Sequence, residues 1–268
     1  MKKNYLTAVI SLLLVSVLLL SGCGSSSSDT NTSSSNDDNT LVIGVDDQFP
    51  PMGYRDESGN IVGFDIDLAQ AVADKLGMKL KVQQIDWSAK ELELDQGNID
   101  AIWNGLTITP EREEAMLFTK PYLENAQVIV VKKGSDITTK ADLNGKTVGI
   151  QKSSSAEDAL NADAIKDSLK EVVTYEENVS ALQDLGIGRT DAVVVDKVVA
   201  DWYIKDENAD YTVLDETLAP ETYGIAVKKG NTELRDKIQK AFDEIVADGE
   251  AAKISEKWFG SDIIYTGN

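Results

Sequence analysis

An arginine at the start of a predicted helix is the side chain best suited to bind an anion. This residue, Arg112, is the last of the segment 105–112, in which Thr109 can cap a helix and Pro110 fits the first helical position. Arg112 then lies in the first turn, where a cation opposes the helix dipole. That cost is offset if the guanidinium binds a carboxylate in a bidentate manner. The alternative is an internal ion pair with one of the two glutamates that follow it.

A second anion site and an acid complement this arginine. Ser154 and Glu157 fit a capping box, which is the structural interpretation. A helix that starts there also offers free backbone N–H groups, including that of Ser155, to a carboxylate. Asp196 ends an apolar run and suits an ammonium group. Buried charges need such partners, so Arg112 with Ser155 at one side and Asp196 at the other would bind the two ends of an α-amino acid.

The elements that position these residues alternate between apolar strands and amphipathic helices. This rhythm predicts mostly parallel sheets covered by helices, and its repetition predicts two α/β lobes. Asp65 is predicted to cap the first helix, and Gly77 to end it. The predicted strands are 41–45, 80–85, 100–103, 128–131, 147–151, 172–175 and 192–195. The predicted helices are 65–76, 88–97, 156–162, 178–188, 197–206, 233–247 and 251–258.

Polar residues follow several of these strands. In open α/β sheets, ligands bind outside the carboxyl ends of strands. The polar residues at such ends are Asp46, Asn104 with Gly105, Gln151 and Asp196. Each alone is better explained as a turn or cap, but together they suit one small hydrogen-bonding ligand. Phe49 and Trp87 are expected to form apolar walls, with ordinary core packing as the alternative. Strand alternation should direct Asp47 away from the site.

Two similar segments indicate where the lobes join. Residues 128–134 and 224–230 both read as an apolar run that ends in Lys-Lys-Gly. We interpret them as two adjacent strands at the lobe boundary, where the chain crosses out and back. The last two predicted helices, 233–247 and 251–258, would then cover the first lobe. Chance similarity of two exposed strand ends is the alternative.

The N-terminus has the features of a processing segment. Two lysines precede an apolar stretch, residues 7–20, which is short for a membrane span. Residues 20–23, Leu-Ser-Gly-Cys, resemble the lipobox of bacterial lipoproteins, with an ordinary signal peptide as the alternative. We expect a signal peptide at 1–22 and a lipidated Cys23 that carries palmitate. The Ser-rich segment 23–40 is expected to be a flexible linker.

Composition excludes several kinds of chemistry. Cys23 is the single cysteine and there is no histidine, which excludes disulfides, Cys/His metal sites and Ser-His-Asp triads. We expect no metal and no cofactor. The net charge of −20 disfavours nucleic acid and anionic lipid headgroups as partners. Membrane attachment is therefore expected through acyl chains on Cys23, and two chains hold stably.

From residue 41 to 260 the sequence resembles the polar-amino-acid class of extracytoplasmic solute-binding proteins, the receptors of ABC importers. The resemblance rests on several motifs in this order: Val45-Asp46 with Phe49-Pro50-Pro51, residues 63–68 (Gly-Phe-Asp-Ile-Asp-Leu), residues 105–112 (Gly-Leu-Thr-Ile-Thr-Pro-Glu-Arg), Asp191-Ala192, residues 223–226 (Tyr-Gly-Ile-Ala) and residues 257–260 (Lys-Trp-Phe-Gly).

The resemblance implies a periplasmic-binding-protein fold, two α/β lobes joined by two hinge strands that close around the ligand. Lobe 1 is expected to comprise 41–126 and 224–268, and lobe 2 to comprise 127–223. By resemblance, Arg112, Thr107 and Ser155 bind the α-carboxylate. Gly105 through its carbonyl and Asp196 bind the α-ammonium. The remaining site residues implied are Asp46, Phe49, Trp87, Asn104, Gln151 and Ser154.

The resemblance leaves the ligand open. Small residues are common in the family at the position of Asn104, and some members carry lysine at that of Gln151. Asp46 can accept from an amide, a guanidinium or an ammonium group, so the candidates are glutamine, cystine, arginine and lysine. The expected protein is a monomeric, non-enzymatic receptor on the outer face of the cell membrane, anchored through Cys23, whose partner is an ABC importer permease.

Two other classes compete with this hypothesis. Some extracytoplasmic dehydratases resemble these receptors and use a carboxylate as the acid. Ligand-sensing domains form the other class, and we expect those to be fused to a channel or kinase, which this sequence does not show before Asn268.

Overall fold

The structure is a computed structural model that describes residues 39–267. Within them the strands are β1 (Thr40–Val45), β2 (Gln48–Phe49), β3 (Gly53–Arg55), β4 (Ile61–Val62), β5 (Lys79–Gln84), β6 (Ala101–Ile102), β7 (Met116–Phe118), β8 (Leu123–Lys132), β9 (Thr147–Gln151), β10 (Glu171–Tyr175), β11 (Ala192–Asp196), β12 (Tyr211–Tyr223) and β13 (Ala226–Lys228). The predicted signal peptide, Cys23 and nearly all of the predicted linker lie outside the described residues.

The same residues form eight α-helices: α1 (Phe64–Leu76), α2 (Lys90–Gln96), α3 (Pro110–Ala115), α4 (Ser155–Ala162), α5 (Asn178–Gly186), α6 (Lys197–Lys205), α7 (Thr232–Ala247) and α8 (Glu250–Phe259). Most predicted elements are present within one or two residues, and β9 has the predicted bounds. The prediction missed β2 to β4, β7 and β12 because these strands are short or carry no clear alternation of apolar residues.

The first sheet has the strand order β5-β1-β6-β13-β7. Strand β1 is parallel to both of its neighbours, β5 and β6, whereas β13 is antiparallel to β6 and β7. After its first residue, β1 is buried throughout, as expected for a parallel strand covered on both faces. The carboxyl ends of β1 and β6 therefore open at one edge, where Asp46 and Asn104 follow them.

The second sheet has the order β10-β9-β11-β8-β12. β9 is parallel to β10 and β11, and β8 is antiparallel to β11 and β12. Gln151 and Asp196 are the last residues of β9 and β11, so both side chains lie at the carboxyl edge of this sheet. A small antiparallel sheet of β2, β3 and β4 carries Phe49.

The crossing between the two sheets differs from the sequence prediction. Residues 128–131 belong to β8 and pair with β11 and β12, whereas β13 pairs only within the first sheet. The segments 128–134 and 224–230 are therefore not adjacent strands, and that interpretation was wrong. The strands that lie side by side near the crossing are the start of β8 and the end of β12, with Leu123 opposite Tyr223. The shared Lys-Lys-Gly ending marks two exposed strand ends and does not encode pairing. The exact lobe boundaries stay a prediction.

The first helix also begins differently from the prediction. α1 starts at Phe64 after Gly63, and no side chain caps it. Asp65 lies inside the first turn and is fully buried, so its prediction as the N-cap was wrong. Gly63 has a φ of 151°, and a Cβ there would lie 2.2 Å from the backbone oxygen of Met52. The close passage of β3 past this turn thus requires glycine and leaves Asp65 for a tertiary role.

The last helices complete the core beside the first sheet. α7 and α8 both pack against α1. Phe242 of α7 contacts Trp103 and Tyr122, with ring centroids 6.2 and 5.9 Å apart. Such tilted ring pairs add to the free energy gained by burying the rings. Within residues 39–267, none of the helices has the length and apolar character needed to cross a bilayer.

Replacing Phe242 tests this packing. Phe242→Ala should lower the free energy of unfolding by about 3–5 kcal/mol, because it removes a buried ring and leaves a cavity. Urea denaturation measures the change. Lys240→Ala on the same helix, at a side chain that is 81% exposed, is the matched control and should change stability by less than about 0.5 kcal/mol. Equal effects of the two substitutions would contradict the packing described.

Candidate ligand-binding site

The predicted polar strand ends meet around one small, nearly filled cavity of about 10 Å³. All predicted ligand-binding residues line it except Thr107, and their roles in binding stay a prediction. Six lining residues come from the part of the chain that carries the first sheet: Asp46, Phe49, Trp87, Asn104, Gly105 and Arg112. Four come from the part that carries the second: Gln151, Ser154, Ser155 and Asp196.

Arg112 forms one side of the cavity. Pro110 begins α3 and Thr109 caps it, accepting a hydrogen bond from Arg112 N at 3.2 Å, as predicted. Arg112 is 5% exposed, and its Nη1 donates to the backbone oxygen of Thr107 at 3.0 Å. Among residues 39–267, no carboxylate lies within ion-pairing distance of it. Neither Glu113 nor Glu114 is its partner, so the cation is buried with a free face toward the cavity.

A second cation lies close to this arginine. Lys90 is 4% exposed, and its Nζ donates to the backbone oxygens of Trp87 at 3.2 Å and Ser153 at 3.0 Å. Burial, followed by repulsion from Arg112, lowers the pKa of Lys90 to about 8. Two buried cations without a carboxylate partner favour an anion between them. Lys90 also joins α2 to the loop before α4, which links the parts that carry the two sheets.

The backbone of Gly105 lines the cavity and has a conformation that favours glycine. Its φ is 59°, and a Cβ there would lie 2.7 Å from Phe49 Cε1. The buried carboxylate of Asp65 fixes this turn by accepting from Gly105 N at 2.7 Å and from the hydroxyl of Tyr122 at 2.9 Å. Asp65 therefore positions the turn at the end of β6, a role that its sequence context did not reveal.

The start of α4 faces Arg112 across the cavity. Ser154 caps this helix by accepting from Glu157 N at 3.2 Å, as the capping-box pattern predicts, and its hydroxyl donates to Gln151 O at 2.7 Å. Glu157 accepts from Ser153 N, one residue earlier than a capping box requires. Ser155 is the first helical residue, and its Oγ lies 2.9 Å from Thr107 Oγ1. Thr107 thus reaches the site through Ser155 and does not line the cavity itself.

Asp196 lies at the end of β11 in a network of acids and amides. Its Oδ1 accepts from Asn125 Nδ2 and Gln127 Nε2, both at 2.9 Å, and from the hydroxyl of Tyr223 at 2.5 Å. Glu221 accepts from the same two amides, at 2.6 and 3.0 Å. Burial, and then the charge of Glu221, raise the pKa of Asp196 well above its usual range. A cationic group between these acids would remove that cost.

Asp46 and Gln151 form the other end of the cavity. Gln151 Nε2 donates to Asp46 Oδ2 at 2.7 Å, and Gln151 Oε1 accepts from Asn178 Nδ2 at 2.7 Å. Asn104 holds the backbone of Asp46, since its Oδ1 accepts from Asp46 N at 2.9 Å. Burial raises the pKa of Asp46. The side chain of Glu177, which the sequence analysis did not select, is hydrogen-bonded to Asp46.

Asp47, next to Asp46 in sequence, lies outside the cavity, whereas the aromatic residues Phe49 and Trp87 line it. Asp47 pairs with Arg55, with 2.5 Å between Oδ2 and Nε, so it points away from the cavity as predicted. Phe49 and Trp87 are 6 and 8% exposed, and both line the cavity. The Nζ of Lys90 lies 5.1 Å from the centroid of the Trp87 ring, which orients this wall by a cation–π contact.

Sequence reasoning missed several residues around the cavity: Lys90, Asn125, Gln127, Glu177, Glu221 and Tyr223. Only Tyr223 lay in a motif that had been singled out. Glu177 precedes a predicted helix, where an acid reads as an ordinary helix start. Glu221 lies on β12, which the pattern did not predict. No local sequence pattern therefore distinguishes either acid from a residue on the surface.

Comparison with known proteins places the chain in a family. It belongs to the bacterial extracellular solute-binding proteins, family 3, whose profile matches residues 41–261. The L-cystine-binding protein TcyJ of Escherichia coli K12 is 33% identical over 228 residues, which cover 84% of each chain. The chain therefore has the two-lobe α/β fold of periplasmic binding proteins. The family consists of solute-binding proteins, which decides against the enzyme alternative.

Solved structures agree with this assignment. A substrate-binding protein of an ABC uptake transporter from Streptococcus pneumoniae, with bound histidine, superposes with a TM-score of 0.81 at 40% identity, covering 85% of this chain and 95% of that one. An ancestral arginine-binding protein bound to arginine gives 0.78 at 46% identity, covering 83 and 99%.

The buried acid behind Gly105 predicts a pH effect on stability. Burial raises the pKa of Asp65 to about 7, so the folded protein holds this proton to higher pH than the unfolded chain does. The contribution of Asp65 to the free energy of unfolding is greatest below its ordinary pKa and falls as the pH rises through about 4 to 7, by about 1.4 kcal/mol per unit of pKa shift. Above that range it is constant.

Asp65→Asn isolates this effect, because asparagine keeps an acceptor and does not titrate. The free energy of unfolding of the wild type, less that of the variant, should fall as the pH rises between about 4.5 and 7.5. Urea denaturation at several pH values measures this difference in the free energy of unfolding. The contributions of the other titrating groups are the same in both proteins and cancel in the difference. A difference independent of pH would contradict the raised pKa.

Proposed function

We propose that this protein is an extracytoplasmic receptor that binds a polar L-amino acid between its two lobes and delivers it to an ABC importer. The observation that carries the proposal is the buried guanidinium of Arg112, which has a backbone partner but no carboxylate. A buried cation left without a counter-charge is costly. The α-carboxylate of an amino acid supplies that counter-charge and enters with an ammonium group for the acid on the other side.

The two ends of the amino-acid backbone have separate partners in this proposal. Arg112 and the N-terminus of α4 with Ser155 bind the α-carboxylate, because each offers a donor or a cation there. Thr107 assists by positioning Ser155 through the contact of their hydroxyl groups. Ser154 caps that helix and holds its first N–H groups in place. Gly105 through its carbonyl, and Asp196 through its carboxylate, bind the α-ammonium. Only an α-amino acid satisfies both ends.

The side chain of the ligand then extends toward Asp46 and Gln151, with Asn104 behind them. Phe49 and Trp87 flank it. These groups fit a polar or charged side chain, and the candidates are glutamine, cystine, arginine and lysine. The relatives support this range, since TcyJ is named for cystine and the solved structures contain histidine and arginine. Closure of the two lobes would present a single ligand-bound surface to the permease, and a monomer suffices for this.

Loss of the guanidinium tests the proposal. Arg112→Ala should weaken binding of the preferred amino acid by about 3–5 kcal/mol, the cost of leaving a buried carboxylate unpaired, which is on the order of a hundred- to several-thousand-fold. A thermal-shift screen of the twenty amino acids with cystine and ornithine identifies that ligand, and calorimetry measures its affinity.

The matched control is Arg189→Ala, which removes an arginine whose side chain is 70% exposed and pairs with Asp184. It should leave the affinity within about threefold of the wild type. Binding that is nearly unchanged in Arg112→Ala would contradict the proposed site.

We further propose that Cys23 carries the lipid anchor. The support is the sequence alone: a Leu-Ser-Gly-Cys lipobox after an apolar segment, and a net charge of −20 that disfavours electrostatic attachment to anionic membranes. Stable anchoring needs two acyl chains, since one chain binds only marginally.

Cys23→Ser tests the anchor. In a bacterial host that processes lipoproteins, the wild-type protein should sediment with membranes and incorporate labelled palmitate. The variant should do neither. Ser21→Ala, which keeps the cysteine and a small residue near it, is the control and should behave like the wild type. Membrane association of the serine variant equal to that of the wild type would refute lipidation at this residue.

A further inference from the structure

We propose that Glu177 is a specificity-determining residue, which acts with Asp46 to select an amino acid whose side chain ends in a cation. This inference rests on the proposed function, because it concerns the same cavity, and it names the class of ligand. Glu177 stands immediately before α5 and is half-buried. Its side chain is hydrogen-bonded to Asp46, which is 4% exposed and lines the cavity.

The two acids have no cation of their own. Among residues 39–267, no lysine or arginine lies within ion-pairing distance of Asp46 or Glu177. Two basic residues that neighbour this end of the cavity in sequence are engaged elsewhere: Arg55 pairs with Asp47, and Lys152, which follows Gln151, faces Glu176 at 3.7 Å. This end of the cavity therefore brings two carboxyl groups together without an internal counter-charge.

The amides at this end are already oriented, and they leave an acceptor free. Gln151 Nε2 donates to Asp46 Oδ2 at 2.7 Å and to the backbone oxygen of Glu176 at 2.8 Å. Both partners are acceptors, which fixes the orientation of the Gln151 amide and turns its Oε1 toward Asn178 Nδ2. The orientation of Asn178 follows, and its Oδ1 is buried without a partner. Buried polar atoms are rarely left unsatisfied.

Asp46 is the acid that lines the cavity at this end, and Glu177 and the free oxygen of Asn178 add acceptors next to Asp46 and Gln151. One donor, Asn104 Nδ2, is also buried there without a partner. A guanidinium or an ammonium group consists of donors only and is positively charged. A neutral amide can accept from Asn104 Nδ2 but brings no charge to offset the two acids. The second half of cystine brings a carboxylate, which they repel.

The titration of the acids supports the same conclusion. Burial, and then the charge of Asp46, raise the pKa of Glu177 to about 8. Burial is also the main cause of the raised pKa of Asp46. Without a ligand, ionising both groups is thus unfavourable. A cation placed beside them would stabilise both charges, whereas a neutral side chain would leave the repulsion in place.

Calorimetry with arginine, lysine, glutamine and cystine tests the inference on the wild-type mature protein and two variants. The wild type should bind arginine or lysine at least about tenfold more tightly than glutamine or cystine, as expected when carboxylates contact a cation. Glu177→Gln should weaken arginine and lysine binding by about tenfold and leave glutamine within about threefold. Glu176→Gln removes the adjacent acid, whose side chain is 63% exposed, and should change none of these affinities.

The outcomes separate this inference from the function on which it rests. Tighter binding of glutamine or cystine by the wild type overturns the inference and leaves the receptor function intact. An equal loss for all ligands in Glu177→Gln also overturns it, since that result indicates a structural role. If the wild type binds no amino acid, the proposed function fails, and the inference fails with it. The ligand ranking of the wild type needs no variant, so the inference stays falsifiable even if Glu177→Gln does not fold.

Discussion

A guanidinium buried without a carboxylate is the constraint on which the rest of this structure depends. Arg112 is held by the short helix α3 and by the backbone oxygen of Thr107. A protein that needed only a stable core would place an apolar residue there, because an unpaired buried cation costs several kcal/mol. The surrounding residues do not neutralise it, and Lys90 adds a second cation nearby. The arrangement is reasonable only if an anion from outside completes it, which is why the proposed function begins with this residue.

The contacts between the parts that carry the two sheets involve the same residues that surround the cavity. Gln151 donates to Asp46, Thr107 meets Ser155, and Lys90 reaches the backbone of Ser153. A group that binds a ligand therefore also stabilises the closed arrangement. A ligand that contacts both sides shifts the equilibrium toward closure by its differential affinity for that state. Recognition and closure are thus carried by one set of side chains.

The sequence predicted the positions that follow from general rules of α/β sheets. Asp46, Gln151 and Asp196 were found because ligands gather at the carboxyl ends of strands, and Arg112 because Thr109 and Pro110 mark the start of a helix. The resemblance to a family added Thr107 and the division of roles. Asp65 was misread as a cap because a local pattern cannot show that Gly105 and Tyr122, distant in sequence, supply its donors.

Strand pairing and contacts between acidic side chains could not be predicted from the sequence, for a related reason. The similarity between 128–134 and 224–230 was real, but strand pairing depends on where the chain crosses between sheets, and no local repeat encodes that. Glu177 and Glu221 each lie close to another acid only after folding. In the sequence they are two of 46 acidic residues, so nothing distinguishes them from residues on a solvated surface.

The distribution of charge in the cavity argues for the nature of its ligand. One pair of acids, Asp196 and Glu221, lies at one end, and a second pair, Asp46 and Glu177, lies at the other. At the first end the acids accept from Asn125, Gln127 and Tyr223, and an ammonium group would join this network. Each end also retains a buried acceptor without a partner, Gln127 Oε1 at the first and Asn178 Oδ1 at the second. Two cationic groups and one carboxylate on a single small molecule match this pattern, and the net charge of −20 attracts such a molecule from a distance.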